Sequence, residues 1–146
     1  ELNRLEGSRQ YPISLIMADV DGLKGTNDRY GHLAGDALLR RAAEVLKQAC
    51  RTEDMVARIG GDEFGIVLPY SEARVAEAAC QRITSMLSVL RVGELELPIS
   101  LSLGSATATN GESLRKVLRQ ADKAMYLAKR SKRSPANRLA QDDQDD

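Results

Sequence analysis

The stretch Arg58-Ile59-Gly60-Gly61-Asp62-Glu63-Phe64 places a glycine pair and two acidic residues between two short apolar runs. The runs, at 55–57 and 66–68, predict a hairpin of two strands. The glycines permit positive φ angles at the bend and leave its backbone without side-chain cover. Asp62 and Glu63 then lie at the tip, where like charges repel unless a cation joins them. A solvated glycine turn with acidic residues is the simpler interpretation.

A second acidic pair, Asp19 and Asp21, ends the apolar run 13–18. The run suits a buried strand that would carry both carboxylates to its end. Near the carboxylates of Asp62 and Glu63, they would form a cluster of hard oxygen ligands. Such ligands suit Mg²⁺ when the ion also binds substrate phosphates. The two stretches together therefore predict a divalent-metal site.

The composition favours one domain with a substantial core, in a chain of 146 residues with 21 basic and 21 acidic side chains. This balance gives no overall field that favours nucleic acid or an anionic membrane, so we expect contact with neither. Cys50 and Cys80 are expected to be small buried side chains in a reducing compartment. No apolar run approaches the roughly 18 residues of a membrane span, and no signal peptide opens the sequence. We expect a cytoplasmic domain, whose longer parent protein could still carry a membrane anchor.

Apolar periodicity predicts the order β–α–β–β–α–β–β–α. The predicted elements are a strand at 11–20, a loop or short helical turn at 22–30, a helix at 36–49, the hairpin, a helix from the N-cap Ser71 to Leu90, two alternating strands at 92–97 and 99–103 that pair with each other, and a last helix from Ser113. Helices covering one face of a mostly antiparallel sheet give an α+β sandwich close to the split βαβ pattern. The predicted domain spans 11–134, between the end of a truncated N-terminal element at 1–10 and a disordered polar and acidic tail at 135–146.

Five ordered motifs resemble those of the GGDEF family, the bacterial diguanylate cyclases. They are Gly60-Gly61-Asp62-Glu63-Phe64, Asp19-Val20-Asp21 with Lys24 and Asn27-Asp28, Tyr30-Gly31-His32, Gly35-Asp36, and the segment 121–129. The resemblance covers 14–133 and implies a palm-like nucleotidyl cyclase fold, a ferredoxin-like sandwich. It also implies condensation of two GTP into cyclic di-GMP with release of two pyrophosphates, across a homodimer in which each subunit presents one GTP.

The resemblance assigns metal ligands and a proton acceptor at the acidic stretches. Asp19, Asp62 and the Val20 carbonyl match the metal ligands, and Glu63 is close enough to help with a second ion. Mg²⁺ is the expected cofactor, with Mn²⁺ as an alternative. Asp62 also matches the family's proton acceptor, although metal activation of the hydroxyl could make a separate base unnecessary.

Phosphate and guanine contacts follow from the same matching positions. Lys24 is expected to stabilise charge on the phosphates during catalysis. The remaining phosphate contacts are expected from the backbone N–H groups of Gly22 and Leu23 and from the side chains of Lys129 and Arg133. Asn27 and Asp36 match the guanine readers, whose amide and carboxylate would be left unpaired by adenine. His32 is expected either to pack in its loop and hydrogen-bond backbone or to contact the nucleotide.

Arg51 and Asp54 form an Arg-x-x-Asp pattern at the offset that resembles the family's inhibitory product site. There an arginine and an aspartate bind the guanine and phosphate of a cyclic di-GMP dimer. Arg82 falls where the family can place a second product-binding arginine. An exposed ion pair at a helix end, worth about 0–1 kcal/mol, is the alternative interpretation of the pattern.

The sequence departs from the family pattern at three positions and leaves two other functions open. Leu23 replaces a common aromatic residue, Thr26 a common aliphatic one, and Lys132 a usual glycine. A catalytically silent GGDEF domain that serves as a receptor for cyclic di-GMP or GTP is the main alternative. A plain scaffold domain would leave the acidic and lysine positions unexplained. The resemblance further implies an upstream sensor or receiver domain in the parent chain.

Overall fold

The computed structural model describes residues 4, 5, 7 and 10–132. The predicted tail and Arg133 lie outside the described residues. The strands are β1 (Ile13–Val20), β2 (Met55–Arg58), β3 (Glu63–Leu68), β4 (Leu90–Val92), β5 (Leu95–Leu97) and β6 (Leu101–Ala108). The helices are α1 (Leu23–Tyr30), α2 (His32–Ala49), α3 (Ala73–Met86) and α4 (Leu114–Ser131). None of these helices is long and apolar enough to cross a membrane.

The main sheet has the strand order β2-β3-β1-β6, with β1 at its centre. Every neighbouring pair in this sheet is antiparallel. Strands β4 and β5 form a separate two-stranded sheet. An antiparallel sheet with helical connections, in which the last strand returns beside the first, is the ferredoxin-like arrangement. The predicted α+β class and the hairpin around the glycine pair are confirmed.

Helices cover both faces of the sheet, so the prediction of one covered face was wrong. All eight residues of β1 are buried, and successive side chains of a strand point to opposite faces. Ile16 and Ala18 belong to a core cluster with α2 and α3. Leu15 and Met17 belong to a second cluster with α4. This two-sided burial explains why β1 is a continuous apolar run rather than an alternating one.

Helix α4 lies very close to β6 because Gly104 has no side chain. A Cβ at Gly104 would come within 2.1 Å of the Met125 nitrogen and 2.3 Å of the Ala121 carbonyl oxygen. At the start of the helix the Ser113 hydroxyl accepts a hydrogen bond from the Lys116 N–H, so Ser113 is its N-cap and the predicted start of the last helix is confirmed. This close packing brings the C-terminal turn of α4 to the end of β1.

The predicted pairing of 92–97 with 99–103 was wrong. Gly93 adopts a φ of 63° and turns the chain between Val92 and Leu95, so β4 and β5 form a tight hairpin. This hairpin begins at Leu90, where the predicted helix ended, and its second strand lies in the predicted strand 92–97. Strand β6 pairs instead with β1, over all eight positions from Ile13 to Val20. Pairing with the central strand gives β6 a longer ladder than a short hairpin could offer.

Three helix boundaries also differ from the prediction. The segment after β1 is a helix, α1, and α2 begins at His32 rather than Asp36 because Gly31, with a φ of 90°, separates the two helices. Helix α3 ends at Met86, so the apolar residues after it do not extend its buried face. Its N-cap residue is Glu72, since the hydroxyl of Ser71 donates to the Pro69 carbonyl instead.

Candidate active site

Strand β1 and the glycine turn meet at the predicted metal site. Asp19 lies opposite Glu63 in the antiparallel register, and the Val20 N–H donates to the Asp62 carbonyl at 2.9 Å. The carboxylates of Asp19 and Asp62 are close enough for Asp62 to raise the pKa of Asp19. The fold therefore brings together two acidic residues that are distant in sequence.

Asp19 is a buried carboxylate with one oxygen left unpartnered. Its Oδ2 accepts from the Lys129 ammonium at 2.7 Å, whereas Oδ1 has no hydrogen-bond partner among the described residues. Burial is the main cause that raises its pKa to about 6; Lys129 opposes the shift and Asp62 adds to it. An orphaned oxygen beside a second carboxylate is chemically suited to a hard cation. The pair therefore fits the Mg²⁺ that the sequence predicted.

Glu63 does not complete a three-carboxylate cluster in this conformation. Within the described part of the chain, no three His, Cys, Asp or Glu side chains are grouped closely enough to share a metal ion. Burial first, and then the charges of Asp122 and Asp62, raise the pKa of the half-buried Glu63. Glu63 could therefore bind a second metal ion, as predicted, only if its side chain changed position.

Asp21 is not free to bind a metal, although its place beside Asp19 suggested that it could. Its carboxylate accepts from the hydroxyls of Ser100 at 2.7 Å and Ser102 at 2.6 Å, and from the Lys132 ammonium at 2.9 Å. Burial alone would raise its pKa, but these hydrogen bonds and the lysine charge lower it below the usual value. Asp21 is therefore a structural anchor at the strand end.

The groups predicted to bind phosphate lie at the start of α1 and the end of α4. Gly22, with a φ of 70°, is the N-cap residue of α1, and the first N–H groups of a helix have no partner within it. The backbone of Leu23 and the exposed side chain of Lys24 follow in its first turn. Lys129 binds the Asp19 carboxylate and its side chain is largely buried. Lys129 therefore contacts Asp19 directly, whereas Lys24 lies in the helix that follows β1.

The two predicted guanine readers lie on α1 and α2, which pack against each other. The Asn27 Oδ1 is buried and has no hydrogen-bond partner among the described residues. It lies against Gly35, where an added Cβ would fall 1.7 Å from that oxygen. Asp36 follows at once and is exposed, at one end of a groove of about 400 Å³. His32 is the exposed first residue of α2, so its predicted packing within a loop was wrong.

The glycine turn is open rather than strained. Neither Gly60 nor Gly61 adopts a positive φ, although glycine would permit it. A Cβ at either position would meet nothing within 4 Å, so contacts within the chain do not require glycine there. Bare backbone at an acidic turn leaves room for a ligand to approach.

Arg58 stabilises the turn, and the sequence reasoning gave it no role. Its Nε donates to the Gly60 carbonyl at 3.1 Å and its Nη2 to the Gly61 carbonyl at 2.7 Å. The Ile59 N–H closes the hairpin on the Glu63 carbonyl at 2.9 Å. The position of Arg58 as the last residue of β2, directly before the bend, was the signal that could have revealed this contact.

Comparison with known proteins decides the family. The family model described as diguanylate cyclase, GGDEF domain, matches residues 1–135. The chain belongs to the GGDEF family. A diguanylate cyclase of Shewanella oneidensis, DgcS, is 36% identical over 126 residues, which cover 86% of this chain and 42% of that protein. Diguanylate cyclase A of Treponema denticola is 34% identical over 132 residues, 88% of this chain and 35% of that protein. The chain thus spans less than half the length of these curated relatives.

Solved GGDEF structures share the fold. The coiled coil and GGDEF domain of DgcB from Caulobacter crescentus, solved in complex with c-di-GMP, superposes with a TM-score of 0.82 at 30% identity, covering 90% of this chain and 73% of that one. Diguanylate cyclase SiaD from Pseudomonas aeruginosa, in complex with its activator SiaC, gives 0.79 at 32% identity, covering 88% and 50%. The palm-like cyclase fold of this GGDEF domain is confirmed.

The GGDEF domain also assembles the residues predicted for product inhibition. Arg51, Asp54 and Arg82 line one groove of about 560 Å³ between the end of α2 and α3. Arg51 pairs with Asp54 at 3.2 Å, and the Asp54 side chain is only 2% exposed. Arg82 donates twice to the Ala49 carbonyl, at 2.7 and 2.9 Å. The ion pair of the alternative interpretation therefore exists, with its acid buried in the groove.

The cysteines of the GGDEF domain are free and half-buried. Burial raises the pKa of Cys50, aided by the charge of Asp54, to about 11, and burial also raises the pKa of Cys80 to about 11. Both thiols are therefore protonated and weakly nucleophilic near neutral pH.

Asp19→Asn is expected to change the pH dependence of stability. Burial raises the pKa of Asp19 from 3.8 to about 6, so the fold favours the protonated carboxyl. The stability of the protein therefore falls as the pH rises from about 4 through 6, by ~3 kcal/mol. Asparagine cannot ionise and should lack this loss. Urea unfolding of metal-free protein at several pH values measures the difference.

Asp122→Asn, at an exposed carboxylate of α4, is the control. Parallel curves of unfolding free energy against pH for wild type and Asp19→Asn would contradict the expectation.

Proposed function

We propose that this GGDEF domain condenses two GTP molecules into cyclic di-GMP and releases two pyrophosphates. The observation that carries the proposal is the buried Oδ1 of Asp19, which has no hydrogen-bond partner among the described residues and lies beside Asp62 at the open glycine turn. A scaffold domain would have no use for a buried carboxylate oxygen without a partner, because such a group costs stability. In metal-assisted phosphoryl transfer, the metal ion would be the partner of that oxygen.

The metal would be held by Asp19, Asp62 and the Val20 carbonyl, with Glu63 available for a second ion. Mg²⁺, or Mn²⁺ in its place, supplies neutralisation of phosphate charge when bound. The surrounding chain orients these ligands, because the Val20 N–H fixes the Asp62 carbonyl and the Lys129 ammonium fixes the other oxygen of Asp19. The lysine leaves Oδ1 available.

The reaction transfers a guanylyl group to a ribose hydroxyl in each of two steps. A 3′-oxygen forms a bond to the α-phosphorus, the bond from that phosphorus to the bridging oxygen breaks, and pyrophosphate leaves with the electron pair. We assign to Asp62 the acceptance of the 3′-hydroxyl proton. Lys24, with the N–H groups of Gly22 and Leu23, would stabilise charge on the leaving pyrophosphate. Lys129 and Arg133 would add further phosphate contacts.

Two copies of the domain are needed, because each active site holds one GTP and the product joins two. We propose a homodimer for activity, formed under the control of a sensor or receiver domain elsewhere in the parent chain. A related structure contains a coiled coil beside its GGDEF domain. Such a segment would raise the effective concentration of one domain for the other.

Guanine specificity is assigned to Asn27 and Asp36. The Asp36 carboxylate can accept from the N1–H and N2 amine of guanine. The Asn27 amide can pair with the other polar atoms of the guanine base. The buried Asn27 Oδ1 has no hydrogen-bond partner in the described residues, which supports a role toward a ligand. The exposed His32 is proposed as a secondary contact near the nucleotide.

Gly35→Ala is expected to raise the KM for GTP by about tenfold without lowering stability. The new Cβ would clash with the Asn27 Oδ1, whose distance of 1.7 Å forces the amide to move. Alanine is otherwise the better residue inside a helix, by roughly 1 kcal/mol. Steady-state kinetics and thermal unfolding measure the two effects. Asn27→Ala should raise the KM as well, and the double variant should lose no more than Asn27→Ala alone. Additive losses would contradict this mechanism.

Turnover of GTP with Mg²⁺ tests the proposed function directly. The domain, fused to a leucine zipper that holds two copies together, is incubated with GTP and the products are separated by chromatography. Formation of cyclic di-GMP and pyrophosphate is the expected result. Tight binding of GTP or cyclic di-GMP without turnover would overturn the proposal in favour of a receptor domain.

A further inference from the structure

Two lysines near the end of α4 bind the two aspartates at the end of β1. The Lys129 ammonium contacts Asp19 at 2.7 Å, and the Lys132 ammonium contacts Asp21 at 2.9 Å. The first contact belongs to the proposed active site. The second lies outside it, at a position where the family resemblance leads one to expect glycine.

The Lys132 ammonium has three acceptors, which match its three N–H donors. Besides the Asp21 carboxylate, it reaches the Leu101 carbonyl at 2.6 Å and the Ser100 hydroxyl at 3.3 Å. These acceptors belong to the ends of β1 and β6 and to the residue before β6. One side chain therefore ties the helix end to two neighbouring strands of the sheet.

Asp21 is a rigid partner for this lysine. Its carboxylate also accepts from the hydroxyls of Ser100 and Ser102, and its backbone N–H donates to the Ser100 carbonyl at 2.9 Å. The Asp21 side chain is 20% exposed, against 46% for Lys132. A flexible surface pair contributes little, but this carboxylate is already fixed in place before the lysine binds it.

Helix α4 ends without the glycine that commonly terminates a helix. Lys132 is the C-cap residue of α4 and keeps right-handed backbone angles, φ −80° and ψ −14°. A glycine at this place commonly adopts a left-handed angle that terminates a helix. Here the side chain secures the last turn, and Lys129 lies in that same turn.

We propose that Lys132 is a positioning residue that clamps the last turn of α4 to the sheet and thereby holds the Lys129 ammonium at the nucleotide site. This inference rests on the proposed function, because the site would receive the phosphates of GTP. A displacement of about 1 Å in a group that binds substrate is enough to change its contribution strongly. The clamp acts on phosphate affinity and touches no reacting atom.

Lys132→Met tests the clamp, since it keeps most of the aliphatic stem and removes all three donors. Binding of a non-hydrolysable GTP analogue with Mg²⁺ is measured by calorimetry, and hydrogen exchange is followed at the amides of 127–131. We expect about fivefold weaker binding, about tenfold faster exchange and a slightly lowered melting temperature. Lys132→Arg should restore much of the affinity. Lys123→Met, at an exposed lysine of the same helix, is the matched control and should match the wild type.

Unchanged analogue affinity in Lys132→Met would overturn the inference, whether or not exchange becomes faster. Faster exchange alone would mean that the lysine only stabilises the helix end. Wild-type protein that binds the analogue but makes no cyclic di-GMP when dimerised would overturn the proposed function, while the affinity comparison would still decide the role of Lys132. Wild-type protein that binds no analogue would overturn both.

Discussion

Asp62→Asn is expected to reduce cyclic di-GMP formation by at least about a thousandfold while the fold is retained. The substitution keeps the shape of the side chain but removes the negative charge beside Asp19, and with it a metal ligand and the assigned proton acceptor. The turn should persist, because its hydrogen bonds come from the backbone and from Arg58. Product formation by the dimerised domain and a circular-dichroism melting curve measure both effects.

Asp122→Asn is the matched control for this variant. Asp122 is an exposed acid of α4 whose charge acts on Glu63, but it has no assigned role in the reaction. It should keep wild-type turnover. Substantial turnover by Asp62→Asn, at a tenth of the wild-type rate or more, would show that neither assigned role belongs to Asp62.

Arg51→Ala is expected to weaken inhibition by cyclic di-GMP by about a hundredfold. Arg51 holds the buried Asp54 and also donates to the Ser71 hydroxyl at 2.7 Å, so it is fixed at the edge of the groove. Loss of charge-assisted hydrogen bonds of roughly 2–3 kcal/mol corresponds to such a change. Initial rates at increasing concentrations of added cyclic di-GMP give the inhibition constant. The rate without added product should stay close to that of the wild type.

Arg41→Ala is the matched control. Arg41 lies on α2, whose end borders the groove, and among the described residues it pairs only with Glu44, at the surface. Its inhibition constant should equal that of the wild type. If Arg51→Ala is inhibited as strongly as the wild type, the groove is not the inhibitory product site. The Arg51–Asp54 pair would then be only the helix-end ion pair that the sequence also allowed.

The sequence alone determined the parts of this protein that depend on neighbouring residues. The hairpin around Gly60 and Gly61, the first strand and the last helix from Ser113 each follow from local periodicity and turn residues. The order of the motifs also identified the GGDEF family, which the family match over 1–135 confirms. Local patterns predicted the boundaries of elements less well at Gly31 and Gly93. Each of these glycines separates two elements through a positive φ angle, and the hydrophobicity of the flanking residues does not mark the boundary.

Only the tertiary structure decided which partner each charged side chain takes. Lys129 binds Asp19 across 110 residues of sequence, and Lys132 binds Asp21 across 111. The two aspartates at the end of β1 looked equivalent in sequence. Asp21 nevertheless accepts from three donors, whereas Asp19 has one oxygen with no partner in the described part of the chain. These contacts depend on β6 pairing with β1 and on α4 packing closely at Gly104. Long-range packing determines these contacts, and no local pattern of residues encodes that packing.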